Sequence, residues 1–138
     1  MGYTVEAMLV YGLDLGEEEP WLNGDEDADA CTEWDDVLLA RSECGRHPSF
    51  AERAAYMEDR KCGCSVEFHY HYDELMYFIS IDEAHISAEW GAQELISQER
   101  FTVKPEWRTQ IAAFCENLGI SFKDYEKTLG WHLAAFKG

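Results

Sequence analysis

Basic residues are what this chain most lacks. Lys and Arg number 11 against 28 Asp and Glu, a formal net charge of -17. The first 40 residues contain twelve carboxylates and no base, and residues 62 to 99 hold eight more, again without Lys or Arg. Nucleic-acid binding depends on cationic side chains that neutralise phosphates, so such a surface repels DNA, RNA and anionic membranes. No direct nucleic-acid contact is expected. Long apolar runs are missing too, since nothing nears the roughly 18 consecutive apolar residues of a membrane span. The opening Met-Gly-Tyr-Thr-Val-Glu has no basic signal-peptide segment, and Glu6 stands where a myristoylation pattern places Ser or Thr. The reading is a soluble, cytoplasmic protein without a membrane partner.

The catalytic fingerprints are absent as well. There is no Gly-x-x-x-x-Gly-Lys-Ser/Thr phosphate loop, no Gly-x-Gly-x-x-Gly, no Gly-x-Ser-x-Gly and no His-Glu-x-x-His. The run Asp25-Glu26-Asp27-Ala28-Asp29 lacks the glycine and terminal Glu of a calcium loop. Five cysteines, Cys31, Cys44, Cys62, Cys64 and Cys115, form an odd count in a chain without an export signal, which argues for thiols or metal ligands over a disulfide framework. Cys115 falls within a helical apolar stripe and reads as core.

What is present is enough for one domain over residues 1–138, with 46% hydrophobic and 14% aromatic residues. Tyr3 to Tyr11 alternates apolar and polar positions as a strand does, with Gly12 as its end. Residues 14–30 read as an acidic surface loop, pushed outward by like charge and pinned by Trp21 and Leu22. Thr32 and Asp35 suggest a helix start ahead of Trp34, Val37 and Leu38. Ser49 and Glu52 form a capping box for a helix from Phe50 to about Lys61, stopped by Gly63. Three strands follow as a meander: Cys64 to Asp73, Leu75 to Ile81 and Ala84 to Trp90. Pro105, the stripe Trp107, Ile111, Phe114, Cys115 and Leu118, and Gly119 mark the best-defined helix. After a short turn near Ser121 to Lys127, Trp131 to Phe136 reads as a closing strand beside the first. The expected fold is α+β, an antiparallel sheet of N- and C-terminal strands plus the meander, with two or three helices on one face.

Two clusters have metal-ligand chemistry. Cys44, His47, Cys62 and Cys64 pair up on either side of the capped helix, as a closed structural zinc site requires, although Cys-x-Cys is an uncommon second pair. The bland alternative has Cys64 facing the core and Cys62 at a helix end. Glu67, His69 and His71 recur on one strand face roughly 6.7 Å apart, and His85 and Glu89 lie on the polar face of another meander strand. Together they suggest an open metal site for hydrolysis; otherwise that face is a solvated polar surface.

The segments Tyr3 to Gly12, Leu75 to Ile81, Pro105 to Gly119 and Gly130 to Gly138 resemble small acidic bacteriophage-encoded proteins of unknown function. The resemblance covers about half the chain and carries over no functional residues. It implies a phage origin and a protein that binds and disarms host machinery. The resulting expectation is a non-enzymatic module that places Glu17, Glu18, Glu19, Asp25, Glu26, Asp27 and Asp29 against a basic, nucleic-acid-binding surface of a host protein, as a nucleic-acid mimic or anti-defence inhibitor. The alternatives are a small metal-dependent hydrolase built on the strand histidines and an acidic zinc-stapled domain. Apart from that zinc, no cofactor is expected.

Overall fold

Alternation in the opening segment produces the strand around which the rest is arranged. The computed structural model describes residues 5–17, 19–22, 34–40, 49–71, 74–89, 93 and 95–137. The elements are β1 (Val5–Gly16), α1 (Trp34–Ala40), α2 (Phe50–Lys61), β2 (Cys64–His71), β3 (Glu74–Ile81), β4 (Ile86–Glu89), α3 (Pro105–Leu118), α4 (Phe122–Tyr125) and β5 (Gly130–Lys137). Short 3-10 turns occur at Pro20–Leu22, Asp82–Ala84, Gln98–Phe101 and Glu126–Thr128.

β1 lies at the centre. One of its edges pairs with β5 from Val5↔Lys137 to Gly12↔Gly130. Its other edge pairs with β3 at Gly12↔Ser80 and Leu13↔Ile79, then with β4 at Leu9↔Ile86 and Ala7↔Ala88. β2 pairs with the far side of β3, and every pairing is antiparallel. The third strand of the meander thus lies against β1 and continues the line of β3. The α+β class is as the sequence leads one to expect, a five-stranded antiparallel sheet with helices packed on it.

Gly12 does not end β1. A Cβ there would collide with the Ile79 carbonyl, so this glycine permits the close approach of β1 and β3. The strand stops instead at Gly16, whose φ of 70° favours glycine, just after a register shift between Asp14 and Gly16. Asp14 is therefore a strand residue, with its N–H donating to Thr128 Oγ1 at 3.0 Å, and β1 runs through Gly16 into the stretch expected as loop.

The helices form for local reasons that the sequence displays. Ser49 Oγ accepts the Glu52 N–H at 3.2 Å and Glu52 Oε2 accepts the Ser49 N–H at 3.3 Å, the reciprocal capping box at the start of α2. The helix closes on Cys62 in the left-handed region, φ 54°, followed by Gly63. α3 has Pro105 in its first turn and a left-handed Gly119 at its end. Its five stripe residues are buried against Tyr11 and Leu13 of β1, Cys64 and Val66 of β2, and Ile79 and Ile81 of β3.

The opposite face of the sheet is not left to solvent. Met8, Val10, Phe78 and Ala134 form a second buried cluster there, and Ser80 is fully buried. In a flat sheet the outer strands β2 and β5 would stand about 14 Å apart, three strand spacings. They are in contact, so the sheet rolls on itself. Rolling draws the polar face of β2 inward: Glu67 and His69 are half-buried, while Phe68, on the apolar side of the alternation, is 56% exposed. Among the described residues no helix is long and apolar enough to cross a membrane.

Candidate functional site

Charge is divided by layer in this fold. Strands β1 to β4 and the turn Asp82–Ala84 contain Glu6, Asp14, Glu67, Glu74, Asp82, Glu83 and Glu89 and no Lys or Arg. The bases lie mostly on or beside helices, where local acids meet them. Lys61 Nζ is 3.7 Å from Glu58, Arg60 lies 4.0 Å from Asp59, Lys104 pairs with Glu83 at 3.2 Å, and Arg108 pairs with Glu126. Arg60, Lys61 and Arg108 also sit over the rings of Tyr56, Trp34 and Phe122. Glu58, Asp59 and Glu126 belong to the helical side, whereas Glu83, the partner of Lys104, is one of the seven sheet-side acids.

Of the acidic residues singled out from sequence, Glu17 is exposed at the turn that ends β1. Glu19 is half-buried and accepts a 3.1 Å hydrogen bond from the Tyr77 hydroxyl, beneath Trp21, which is 5% exposed and packs edge-on against Tyr77 at 5.1 Å. Trp21 therefore pins the segment as its composition suggests, and Glu19 belongs partly to that anchor. Glu18, Asp25, Glu26, Asp27 and Asp29 lie outside the described residues.

Cys44 and His47 of the suggested zinc set are also outside the described residues. Cys64 is fully buried opposite Ile81, and burial pushes its thiol well above the ordinary value, the direction that opposes thiolate ligation. Cys62 caps α2, its Sγ 3.6 Å from the Arg60 carbonyl and 3.7 Å from Asn117 Nδ2, and its pKa is raised by burial and then by Asp59. Cys62, Cys64 and Cys115 are free thiols.

Rolling brings part of the histidine set together. His85 Nδ1 is 3.7 Å from Glu67 Oε1, so the pair links β2 to the start of β4. Beside it, Ser65 Oγ donates to Asp82 at 2.7 Å. His69 lies flat on Phe78, centroids 5.0 Å apart and planes 9° from parallel, and His132 reaches the same ring at 5.3 Å while its Nε2 meets the Thr128 carbonyl at 2.8 Å. The side chain of His71 lies outside the described residues. Among those described, no group of three or more His, Cys, Asp or Glu is arranged to hold a metal ion.

One feature has no sequence signal. An open cleft of about 370 Å³ is lined by Gly63, Asp82, Glu83, Lys104, Glu106 and Gln110. Glu83 accepts from Trp107 Nε1 and from Lys104, and these hydrogen bonds hold its carboxyl below the ordinary range. The contact joins residues 24 positions apart, which no local pattern announces.

No family model, curated protein or solved structure matches the chain. The features that remain are the molecule's own: four sheet strands without Lys or Arg, an anchored acidic turn, and a Glu67–His85 pair without a metal-binding third partner among the described residues.

Proposed function

We propose that the protein is a non-enzymatic acidic binding module that occupies a basic, nucleic-acid-binding surface of a host protein, its carboxylates standing where phosphates otherwise sit. The observation that carries this reading is the partition of charge, with β1 to β4 holding acids and no Lys or Arg and leading into an acidic segment, while Arg60, Lys61 and Arg108 pair with acids on the helical side. A surface of one sign raises encounter rates with a partner of the other and rejects partners of its own. The resemblance to small phage-encoded proteins supports the same reading, and the host cytoplasm is the compartment it implies. The experiment is competition. A protein captured from bacterial lysate at low salt is loaded with labelled DNA and titrated with the acidic protein. Displacement of the DNA is expected; a ternary complex in which both bind at once would contradict the proposal.

A further inference from the structure

Strand register sorts charge by face. One face carries Tyr11, Val66 and Ile79 and packs with the α3 stripe and with Trp34, Met57 and Phe122 of the other helices. The alternate positions belong to the second face, whose buried cluster of Met8, Val10, Phe78 and Ala134 is built from strand residues alone. The pairings Glu6↔Glu89, Asp14↔Phe78, Glu67↔Phe78 and His71↔Glu74 place every Asp and Glu of the five strands at positions of that second face. The only base in those strands, Lys137, pairs with Val5 and so falls on the helix-bearing face. His69, His71 and His132 share the second face with the acids.

We infer that this second face, opposite the helices, is where the partner docks, presenting Lys or Arg side chains to it. The inference rests on the charge reading above and assigns it to one side of the molecule. Register supplies the argument. Glu6 stands directly opposite Glu89, and like charges at opposed strand positions destabilise a sheet. A strand face that only meets water intersperses both signs, whereas the strands bring no Lys or Arg to this one. Cations from outside the chain relieve that repulsion. The face is open at its margins, since Ser87 is exposed and Asp14, His69 and His132 are half-buried around the closed centre at Val10 and Phe78. The same face of a second copy would set carboxylates against carboxylates, so charge complementarity selects a basic occupant.

The methionines report on the two faces separately. Met8 and Met76 occupy positions of the second face, whereas Met57 packs against the helix-side core. Hexa-arginine titrated at low salt into protein with carbon-13 labelled methionine methyls is expected to shift the Met8 and Met76 signals and to leave Met57 in place. A Glu6→Gln, Glu89→Gln variant should bind the peptide at least about threefold more weakly, the order expected from losing two exposed charge contacts. Its thermal midpoint should equal or exceed the parent's, because an opposed like-charge pair is gone. A Glu58→Gln, Asp59→Asn variant loses the same charge from exposed positions of α2 and should bind as the parent does. Equal weakening in both variants would overturn the inference by reducing the effect to net charge. Binding that moves Met57 and neither Met8 nor Met76 would overturn it too, while leaving the charge reading intact. Hexa-arginine that fails to bind the parent at low salt would defeat the charge reading itself, and the inference with it.

Discussion

Burial pushes the Glu67 carboxyl above its ordinary value near 4.5, His85 pulls it back, and Asp82 pushes it up again, so burial prevails. The native state therefore holds this proton more tightly than the unfolded chain does. Stability from this group is complete below the unfolded value and is lost as pH rises through the raised folded value. Glu67→Gln removes the buried charge and keeps the shape, so its thermal midpoint should exceed the parent's at pH 7, with the gap narrowing as pH falls through the raised folded value and closed below about 4.5. Equal midpoints at pH 7, or a gap that widens in acid, would contradict this. The thiols give a second residue-scale test. Burial pushes Cys115 up to about 12 and Cys64 further in the same direction. In a Cys31→Ser, Cys44→Ser, Cys62→Ser variant, the remaining two thiols should be silent toward an aromatic disulfide at pH 8 and both react in guanidinium. Prompt reaction of either in the folded protein would show that the core opens there.

At the scale of elements, α2 and α3 have different supports, and substitutions should separate them. α2 is largely exposed and depends on its ends, so Ser49→Ala should cost about 1 kcal/mol. α3 is held by its buried stripe, and Ile111→Ala should cost about 2–5 kcal/mol, measured by denaturant unfolding. The reverse order would mean that the sheet does not depend on α3. Both helices are legible in the sequence because their signals are local: a capping box, an N-terminal proline, a left-handed glycine and a 3.6-residue stripe. Strand alternation is local too, and it places Leu9 and Tyr11 correctly on one face. The pairing of β4 with β1, the passage of β1 through Gly12 and the rolling that turns Glu67 inward are not legible. Each depends on contacts between distant residues, such as Gly12 with Ile79 and Phe78 with His132. The acidic residues of the candidate site are plain in composition, whereas the contact of Glu67 with His85 emerges only from the rolled sheet.

On the scale of the whole molecule, rolling and charge partition belong to one design. A small rolled sheet buries apolar residues on both faces, Phe114 and Ile79 toward the helices and Val10 and Phe78 within, so folding does not rely on its acidic surface. That surface is then available for association. Exposed charges are screened beyond about 8 Å at physiological ionic strength, so steering by them fades as salt rises, while apolar contact does not. Because Glu19 also holds Tyr77, charge reversal is better directed to Asp25, Glu26 and Asp27, with the fold of the variant confirmed by circular dichroism. The most direct measurement is the association rate with the captured basic protein, taken by stopped flow at about 0.05 M and 0.5 M salt, for the parent and for the Asp25→Lys, Glu26→Lys, Asp27→Lys variant. The account expects the parent's rate to fall at least about tenfold across that range, and the variant to associate more slowly at low salt with its dissociation rate little changed. Equal rates for parent and variant, both indifferent to salt, would contradict it.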